Sequence, residues 1–104
     1  MIVVLILTTV SDTSDSLRLI NGALNSRLAA CVSDLGIIRS HYYWKDKIEI
    51  VNEIQLLFKT SASKSLDLKR FILKNHPYDT PEIVLWQADT SYSYGKWLEK
   101  ETQF

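Results

Sequence analysis

The stretch His76-Pro77-Tyr78-Asp79-Thr80-Pro81-Glu82 contains both prolines of the chain and one of its two histidines, with a phenol and two carboxylates beside them. Each proline fixes its own φ at about −65° and pushes the preceding residue towards extended backbone. We therefore predict a stiff, irregular bridge. Turn chemistry alone explains such a bridge as a helix stop with solvated side chains. The alternative is a rigid loop that presents polar groups at the entrance to a strand.

The sequence on either side of this bridge supplies a helix and a strand. Before it, apolar residues recur at helical spacing and predict a helix that ends ahead of Pro77. That stripe consists of Leu68, Phe71 and Ile72, with Leu73 at its margin. After the bridge, the apolar run predicts a strand from Glu82 to Gln87.

The N-terminal third reads as strand, helix, strand. Ile2 to Leu7 is continuously apolar and mostly β-branched, which is typical of a strand in the middle of a sheet. Residues Ser16 to Leu28 predict a helix whose apolar face holds Leu17, Ile20, Leu24 and Leu28. The small apolar run Ala29 to Val32 then predicts a second strand.

A long β-hairpin is predicted in the middle of the chain. Its arms are Ile37 to Trp44 and Ile48 to Thr60, joined by a turn at Lys45-Asp46-Lys47. The segment Ser33 to Gly36 interrupts the first arm and indicates a bend or a bulge. Near the tip, His41-Tyr42-Tyr43-Trp44 forms an aromatic patch. These rings either stack on bases or a flat ligand, or they are buried in an oligomer contact through exposed strand edges.

The order of elements predicts the fold class. A last helical pattern places Tyr94, Trp97 and Leu98 on one stripe and predicts a short C-terminal helix that docks its aromatic side chains on some other surface. The chain therefore reads β-α-β-β-α-β plus a C-terminal helix. This is the α+β, ferredoxin-like split βαβ sandwich, with an antiparallel sheet and helices on one face. The other face of the sheet is not covered by helices, and we expect partner subunits or proteins to cover it.

Composition limits the classes of function. The 104 residues predict a single domain spanning 1–104, and 46% hydrophobic with 23% charged residues indicates a globular chain. Twelve basic and twelve acidic residues cancel, which argues against nucleic-acid binding. Cys31 is the single cysteine, so nothing points to an oxidising compartment and we expect the cytosol. Met1 to Leu7 is too short for a membrane span and has no basic residue before it, as a signal peptide would want.

The sequence shows no catalytic motif, so we expect a protein that is not an enzyme. It lacks a nucleophile–base set, a glycine-rich phosphate loop, paired cysteines and HExxH. His76 as a general base near Glu82 or Asp79 would have no nucleophile or oxyanion donor. If His76 binds copper or zinc, the other ligands come from Cys31, Glu82, Asp79, water or another subunit.

Several separated motifs together resemble one family. They are Arg27-Leu28-Ala29-Ala30-Cys31-Val32, Tyr43-Trp44 before a hairpin turn, Lys59-Thr60, His76 to Ile83, and Tyr94 with Trp97-Leu98. In order and spacing, from about Val4 to Leu98, they resemble the CutA family of divalent-cation tolerance proteins. The resemblance implies a tight homotrimer that pairs its hairpin strands across subunits and is similar to the nitrogen regulatory PII proteins. It also implies a link to copper tolerance.

The same resemblance implies six residues that line a cleft between subunits: Cys31, Trp44, Lys59, His76, Tyr78 and Glu82. Some members look able to bind a metal through a cysteine at the end of the first strand and a His-His pair. This chain has Thr8 and Asn75 at those places, which leaves His76 as the candidate metal ligand. Structural roles are the alternatives: Cys31 in the core, Trp44 at an interface, Lys59 in a salt bridge and Tyr78 as a loop anchor.

Two hypotheses therefore stand at this point. The first is a trimeric binding or signalling module of divalent-metal tolerance, whose clefts take a metal ion such as copper or a small anion. The second is a mainly structural trimer that presents a surface to a protein partner and has no metal binding of its own.

Overall fold

A computed structural model describes residues 1–103, and Phe104, the last residue of the predicted domain, lies outside the described residues. The strands are β1 (Ile2–Val10), β2 (Cys31–Trp44), β3 (Lys47–Ser61) and β4 (Val84–Asp89). The helices are α1 (Thr13–Asn25), α2 (Ser65–Asn75) and α3 (Tyr92–Glu101), with a short 3-10 turn at Ala62–Lys64. The strands form one antiparallel sheet in the order β2-β3-β1-β4, which confirms the predicted fold class. None of the helices in residues 1–103 combines the length and the hydropathy that a membrane-spanning helix requires.

The core lies between the sheet and helices α1 and α2. Strand β1 is central, paired with β3 on one side and β4 on the other. Its side chains alternate, so Val4, Ile6 and Val10 point to the helices and are almost fully buried. The buried apolar cluster consists of Val4, Ile6, Val10, Leu19, Ala23, Ala29, Leu56, Phe58, Leu68 and Ile72.

The apolar face predicted for the first helix is correct only in part: Ile20 and Leu28 pack against the buried cluster. Asp12 caps α1 by accepting a hydrogen bond from the Ser14 N–H, and the buried residues of α1 are Ser16, Leu19 and Ala23. By contrast, Leu17 and Leu24 are 51% and 38% exposed, and Leu28 lies beyond the helix end. Two of these three buried residues are small, and a glycine stands where α1 meets α2, since a Cβ at Gly22 would overlap the ring of Phe71.

The hairpin contains a β-bulge that changes which side chains of β2 lie on each face of the sheet. Its turn consists of two residues, Lys45 and Asp46. Both have positive φ (51° and 66°), which is typical of the two-residue turns that connect tight β-hairpins. Across β2 and β3, Asp34 pairs with Leu56 and Gly36 with Gln55, so Leu35 is the extra residue. Because of this bulge, even-numbered residues of β2 beyond Gly36 lie on the sheet face away from α1 and α2.

The short C-terminal helix and the burial of Leu98 are confirmed, whereas the two aromatic side chains of the predicted stripe stay partly exposed within the subunit. In α3 the buried residues are Gly95 and Leu98, whereas Tyr94 and Trp97 are 36% and 44% exposed. Gly95 allows the close approach of α3, since a Cβ there would collide with the Met1 side chain.

The sheet face opposite α1 and α2 is only partly covered. Helix α3 reaches one end of it, where the Thr102 hydroxyl donates to the Ser61 hydroxyl at 3.1 Å. The rest of this face carries apolar side chains that are half-buried or exposed: Leu5, Leu7, Leu57, Val84 and Trp86. We call these five residues and their surroundings the open sheet face.

Two buried threonines of this fold should respond with opposite signs to the same substitution. Thr8 and Thr60 are both 0% exposed on the helix-facing side of adjacent strands. The Thr60 hydroxyl donates to the Leu28 carbonyl at 2.6 Å, whereas the Thr8 hydroxyl has no hydrogen-bond partner among residues 1–103. An unpaired buried hydroxyl costs about 1–3 kcal/mol. We therefore expect Thr8→Val to raise the unfolding free energy by about 1 kcal/mol and Thr60→Val to lower it by a similar amount.

Urea unfolding of both variants measures this difference directly. A loss of stability in Thr8→Val equal to that in Thr60→Val would show that the Thr8 hydroxyl has a bonded partner in solution, such as a buried water.

Candidate functional site

A cleft of about 720 Å³ lies on the open sheet face, under the proline-containing bridge. Strands β1, β2 and β3 form its floor and the bridge forms its wall. The bulge in β2 is what brings alternate residues of the hairpin to this floor. The lining residues are Leu7, Thr9, Ile38, Ser40, His41, Tyr42, Trp44, Glu53, Gln55, Tyr78, Asp79, Thr80 and Glu82.

His76 fastens the bridge to the sheet from behind the cleft. Its side chain is buried, and Nε2 lies 2.8 Å from the Thr9 carbonyl oxygen. Nδ1 accepts a hydrogen bond from the Tyr78 N–H at 3.2 Å, so the proton is on Nε2, which donates to Thr9. Burial lowers the pKa of His76, which favours this neutral form. Both ring nitrogens are therefore engaged with backbone groups.

Tyr78 lies next to His76, on the side of the cleft. Its hydroxyl donates to Glu53 Oε2 at 2.8 Å, and its ring packs edge-on against His76 with centroids 4.7 Å apart. Burial, with a further contribution from the Glu53 carboxylate, raises the pKa of Tyr78 to about 12. The phenol therefore stays a hydrogen-bond donor at neutral pH, and it links the bridge to β3.

The structure brings four of the six predicted cleft residues together. Trp44, Tyr78 and Glu82 line the cleft, and His76 lies directly behind Tyr78. Cys31 and Lys59 are paired with each other across β2 and β3. Lys59 is on the same face but four positions beyond Gln55, about 13 Å along the strand. Within one chain these two residues are therefore not part of the cleft, and their place in a cleft between subunits stays a prediction.

Glu53 is the important cleft residue that the sequence did not single out. In the sequence, Glu53 alternates with apolar residues of β3, a pattern that by itself predicts a side chain on the solvated face of a strand. In the structure it is only 7% exposed, because the bridge covers that part of the sheet. In the sequence, Glu53 is a single acidic residue on a strand. Such a residue looks the same as a solvent-exposed glutamate until the segment that packs over it is known.

The residues of one chain do not fit a metal site. Among residues 1–103, no group of three or more His, Cys, Asp or Glu side chains is arranged to hold an ion. Thr8 points into the core, and the Asn75 amide donates to the Phe71 carbonyl at 2.8 Å at the end of α2. A bond from His76 to a metal would require one of its two backbone hydrogen bonds to break.

These features define a class of protein: a ferredoxin-like α+β subunit with a long hairpin and a ligand-sized cleft on its open sheet face. Residues 4–101 match the model of the family described as "CutA1 divalent ion tolerance protein". The chain belongs to this family, as the sequence motifs predicted.

Known relatives agree with this assignment. The chain is 42% identical to the divalent-cation tolerance protein CutA of Pectobacterium atrosepticum over 96 residues, which is 91% of this chain and 87% of that protein. It is 38% identical to the CutA of Yersinia pestis, over 91% of this chain and 81% of the relative. These names describe tolerance to divalent cations and do not name an enzymatic reaction.

Solved structures of the family have the same fold. CutA1 from Ehrlichia chaffeensis superposes with a TM-score of 0.93 at 28% identity, covering 98% of this chain and 96% of that one. CutA from Xylella fastidiosa superposes with a TM-score of 0.92 at 34% identity, covering 97% and 98% of the two chains.

Proposed function

We propose that this protein acts as a homotrimeric, PII-like binding or signalling module of divalent-metal tolerance, without enzymatic activity, in the cytosol. Its ligand clefts lie between subunits. The observation that carries the proposal is the open sheet face, where the cleft and an apolar surface lie side by side.

The apolar surface supports burial against other subunits. Val84 and Trp86 are 48% and 41% exposed, and they adjoin the half-buried Leu7 and Leu57. A contiguous apolar patch of this kind is typical of a surface that is covered by another protein. Since the cleft is on the same face, association there would place the cleft at a subunit boundary.

The free edge of the sheet supports the same mode of association. Strand β2 has fourteen residues and pairs with β3 on one side only, so its other edge is unpaired within residues 1–103. Long bare edges in soluble proteins are paired or protected. The hairpin also makes the subunit long, with a principal extent of 45 Å, so it extends far enough to contact a neighbour.

In this proposal, any metal ion binds to the assembled trimer and not to a single subunit. Copper is the divalent metal that the family resemblance implies, and no single chain assembles three suitable ligands within residues 1–103. Cys31 and Lys59 of one subunit would join the cleft of another only through association.

A second candidate function rests on the hairpin tip. Tyr43, Ile48 and Ile50 are 76%, 63% and 58% exposed there, and exposed aromatic and aliphatic residues are common at protein interfaces. This favours the alternative of a mainly structural trimer that presents a surface to a protein partner.

The trimer is tested by light scattering at micromolar concentration. We expect a mass of about 36 kDa, three times the 12.0 kDa subunit. Trp86→Glu places a charge on the open sheet face and should reduce the mass towards that of one subunit. Leu73→Glu is the matched control, since Leu73 is 49% exposed on α2, on the other side of the sheet. A wild-type mass of one subunit would contradict the proposal.

A further inference from the structure

Helix α3 depends on the sheet for its order. It is ten residues long, and an isolated helix shorter than about 12–15 residues is only marginally stable in water. Its buried residues are Gly95 and Leu98, and after its end the Thr102 hydroxyl bonds to Ser61 of β3. On the same face of the sheet, Val3 of β1 is only 5% exposed. The helix is therefore held by a small area of packing at the beginning of β1 and the end of β3.

The side chain of Met1 belongs to this packing area. A Cβ at Gly95 would lie only 2.8 Å from Met1 Sδ, so the thioether packs directly on the backbone of α3. The backbone of Met1 is fixed by the sheet, because the Thr90 N–H donates to the Met1 carbonyl at 2.9 Å. The sulfur therefore has a defined position under the helix.

This position does not accommodate a polar atom. The same Cβ at Gly95 would lie 3.1 Å from the methyl group of Thr90, so that the space beside the sulfur is filled. Oxidation of a methionine to its sulfoxide adds an oxygen and makes an apolar side chain polar. The neighbouring backbone donors are already engaged, since the Gly95 N–H donates to the Ser91 carbonyl at 3.0 Å and the Thr90 N–H to Met1. A sulfoxide under a docked α3 would therefore be a buried polar group without a partner.

Met1 is also within reach of an oxidant. It is half-buried, and it is the single methionine of the chain. In the reaction with a peroxide, a lone pair of the sulfur attacks one peroxide oxygen, a sulfur–oxygen bond forms and the O–O bond breaks. With hydrogen peroxide the second oxygen leaves as water, and the sulfur loses the two electrons that the peroxide gains. Sulfoxide reductases reverse this change.

We propose that Met1 is a redox-sensitive anchor of α3: the thioether holds the helix on the sheet, and its oxidation by a peroxide releases the helix. Release exposes Val3 and Leu98 and enlarges the apolar surface at that end of the sheet. The inference goes beyond the proposed function and does not depend on it, because the anchor and the helix belong to one chain.

The experiment treats the whole protein with hydrogen peroxide and measures amide hydrogen exchange by mass spectrometry. Peptide masses identify the protein in which Met1 carries the added oxygen. We expect the amides of α3 to exchange about tenfold or more faster in this protein, because burying a polar group without a partner disfavours docking by at least about that factor. The amides of α2, on the other side of the sheet, should exchange as before.

Norleucine is the matched control for the thioether, since it has a methylene group in place of the sulfur. Because Met1 is the single methionine, norleucine incorporation changes this position only. The norleucine protein should keep α3 docked, and peroxide should leave its exchange unchanged. Cys31 is retained in this control, so an effect of oxidising the thiol would still be seen.

Four results would overturn the proposal. The first is equal exchange of α3 in the sulfoxide and in the untreated protein. The second is an acceleration by peroxide that persists in the norleucine protein. The third is an equal acceleration of α2 and α3, which would indicate general unfolding. The fourth is no oxidation of Met1 under conditions that oxidise free methionine, which would show that the thioether is inaccessible.

Discussion

Replacing Phe58 by alanine is expected to lower the unfolding free energy by about 3–5 kcal/mol. Phe58 is 0% exposed in the C-terminal half of β3, opposite Ile6 of the central strand. It belongs to the cluster that both crossover helices pack on. Truncation removes the transfer free energy of the ring and leaves a cavity that neighbouring strands, fixed by their hydrogen bonds, cannot fill. Urea denaturation with an unchanged m-value would measure this loss.

Two further variants make the Phe58 result interpretable. Phe58→Leu retains most of the apolar volume and should cost clearly less than alanine. Leu73→Ala removes an apolar side chain that is 49% exposed on α2, and it should cost no more than about 0.5 kcal/mol. Equal losses for Phe58→Ala and Leu73→Ala would mean that the core is not where the structure places it.

The order of the elements was predictable because each depends on local chemistry. The continuous apolar run of β1, the alternation in β3 and the prolines after α2 each act within a few residues. Their sequence along the chain then leaves few topologies open. The family motifs added the same fold independently, and the match over residues 4–101 confirms it.

The side chains by which each helix contacts the core were less predictable, because the distance between the packed elements determines which side chains fit there. The large leucines of α1 gave the clearest periodic signal, yet Ser16 and Ala23 face the sheet and Leu17 is exposed. Small residues allow α1 to lie close to its neighbours, and hydrophobicity alone favours large ones. The same reasoning applies to α3, where Leu98 of the predicted stripe is buried and the small Gly95 is buried beside it, while Tyr94 and Trp97 stay partly exposed.

Local sequence chemistry pointed only to the bridge of the candidate site, and the family resemblance added Trp44 of the hairpin. Tyr78, Asp79 and Glu82 line the cleft, and their proline-containing segment drew attention to them from the sequence alone. The floor depends on the extra residue in β2, which determines which side chains of the hairpin face the cleft. It also depends on Glu53, whose burial is produced by a segment about twenty-five positions away, as the Tyr78 hydrogen bond shows.

His76→Ala is expected to lower the unfolding free energy by about 2–4 kcal/mol, because it removes a buried ring and two hydrogen bonds to backbone groups. The Thr9 carbonyl and the Tyr78 N–H both lose their partner. The pKa of His76 is lowered by burial, so its neutral form contributes stability above the ordinary histidine pKa of 6.5. That contribution is lost as the pH falls below this value, so the difference between wild type and variant should shrink between about pH 8 and pH 5. Urea unfolding at both pH values measures it.

The same variant separates an anchor from a metal ligand. Because both ring nitrogens of His76 are engaged with backbone, we expect copper calorimetry to give His76→Ala an affinity within about threefold of wild type, a difference of less than 1 kcal/mol. His41→Ala is the matched control, since it removes the other histidine of the chain, which lies exposed on the hairpin and lines the cleft. It should leave stability nearly unchanged. If His76→Ala instead abolished copper binding with little loss of stability, the ring would be a metal ligand, and the bridge would be held mainly by the contact between Tyr78 and Glu53.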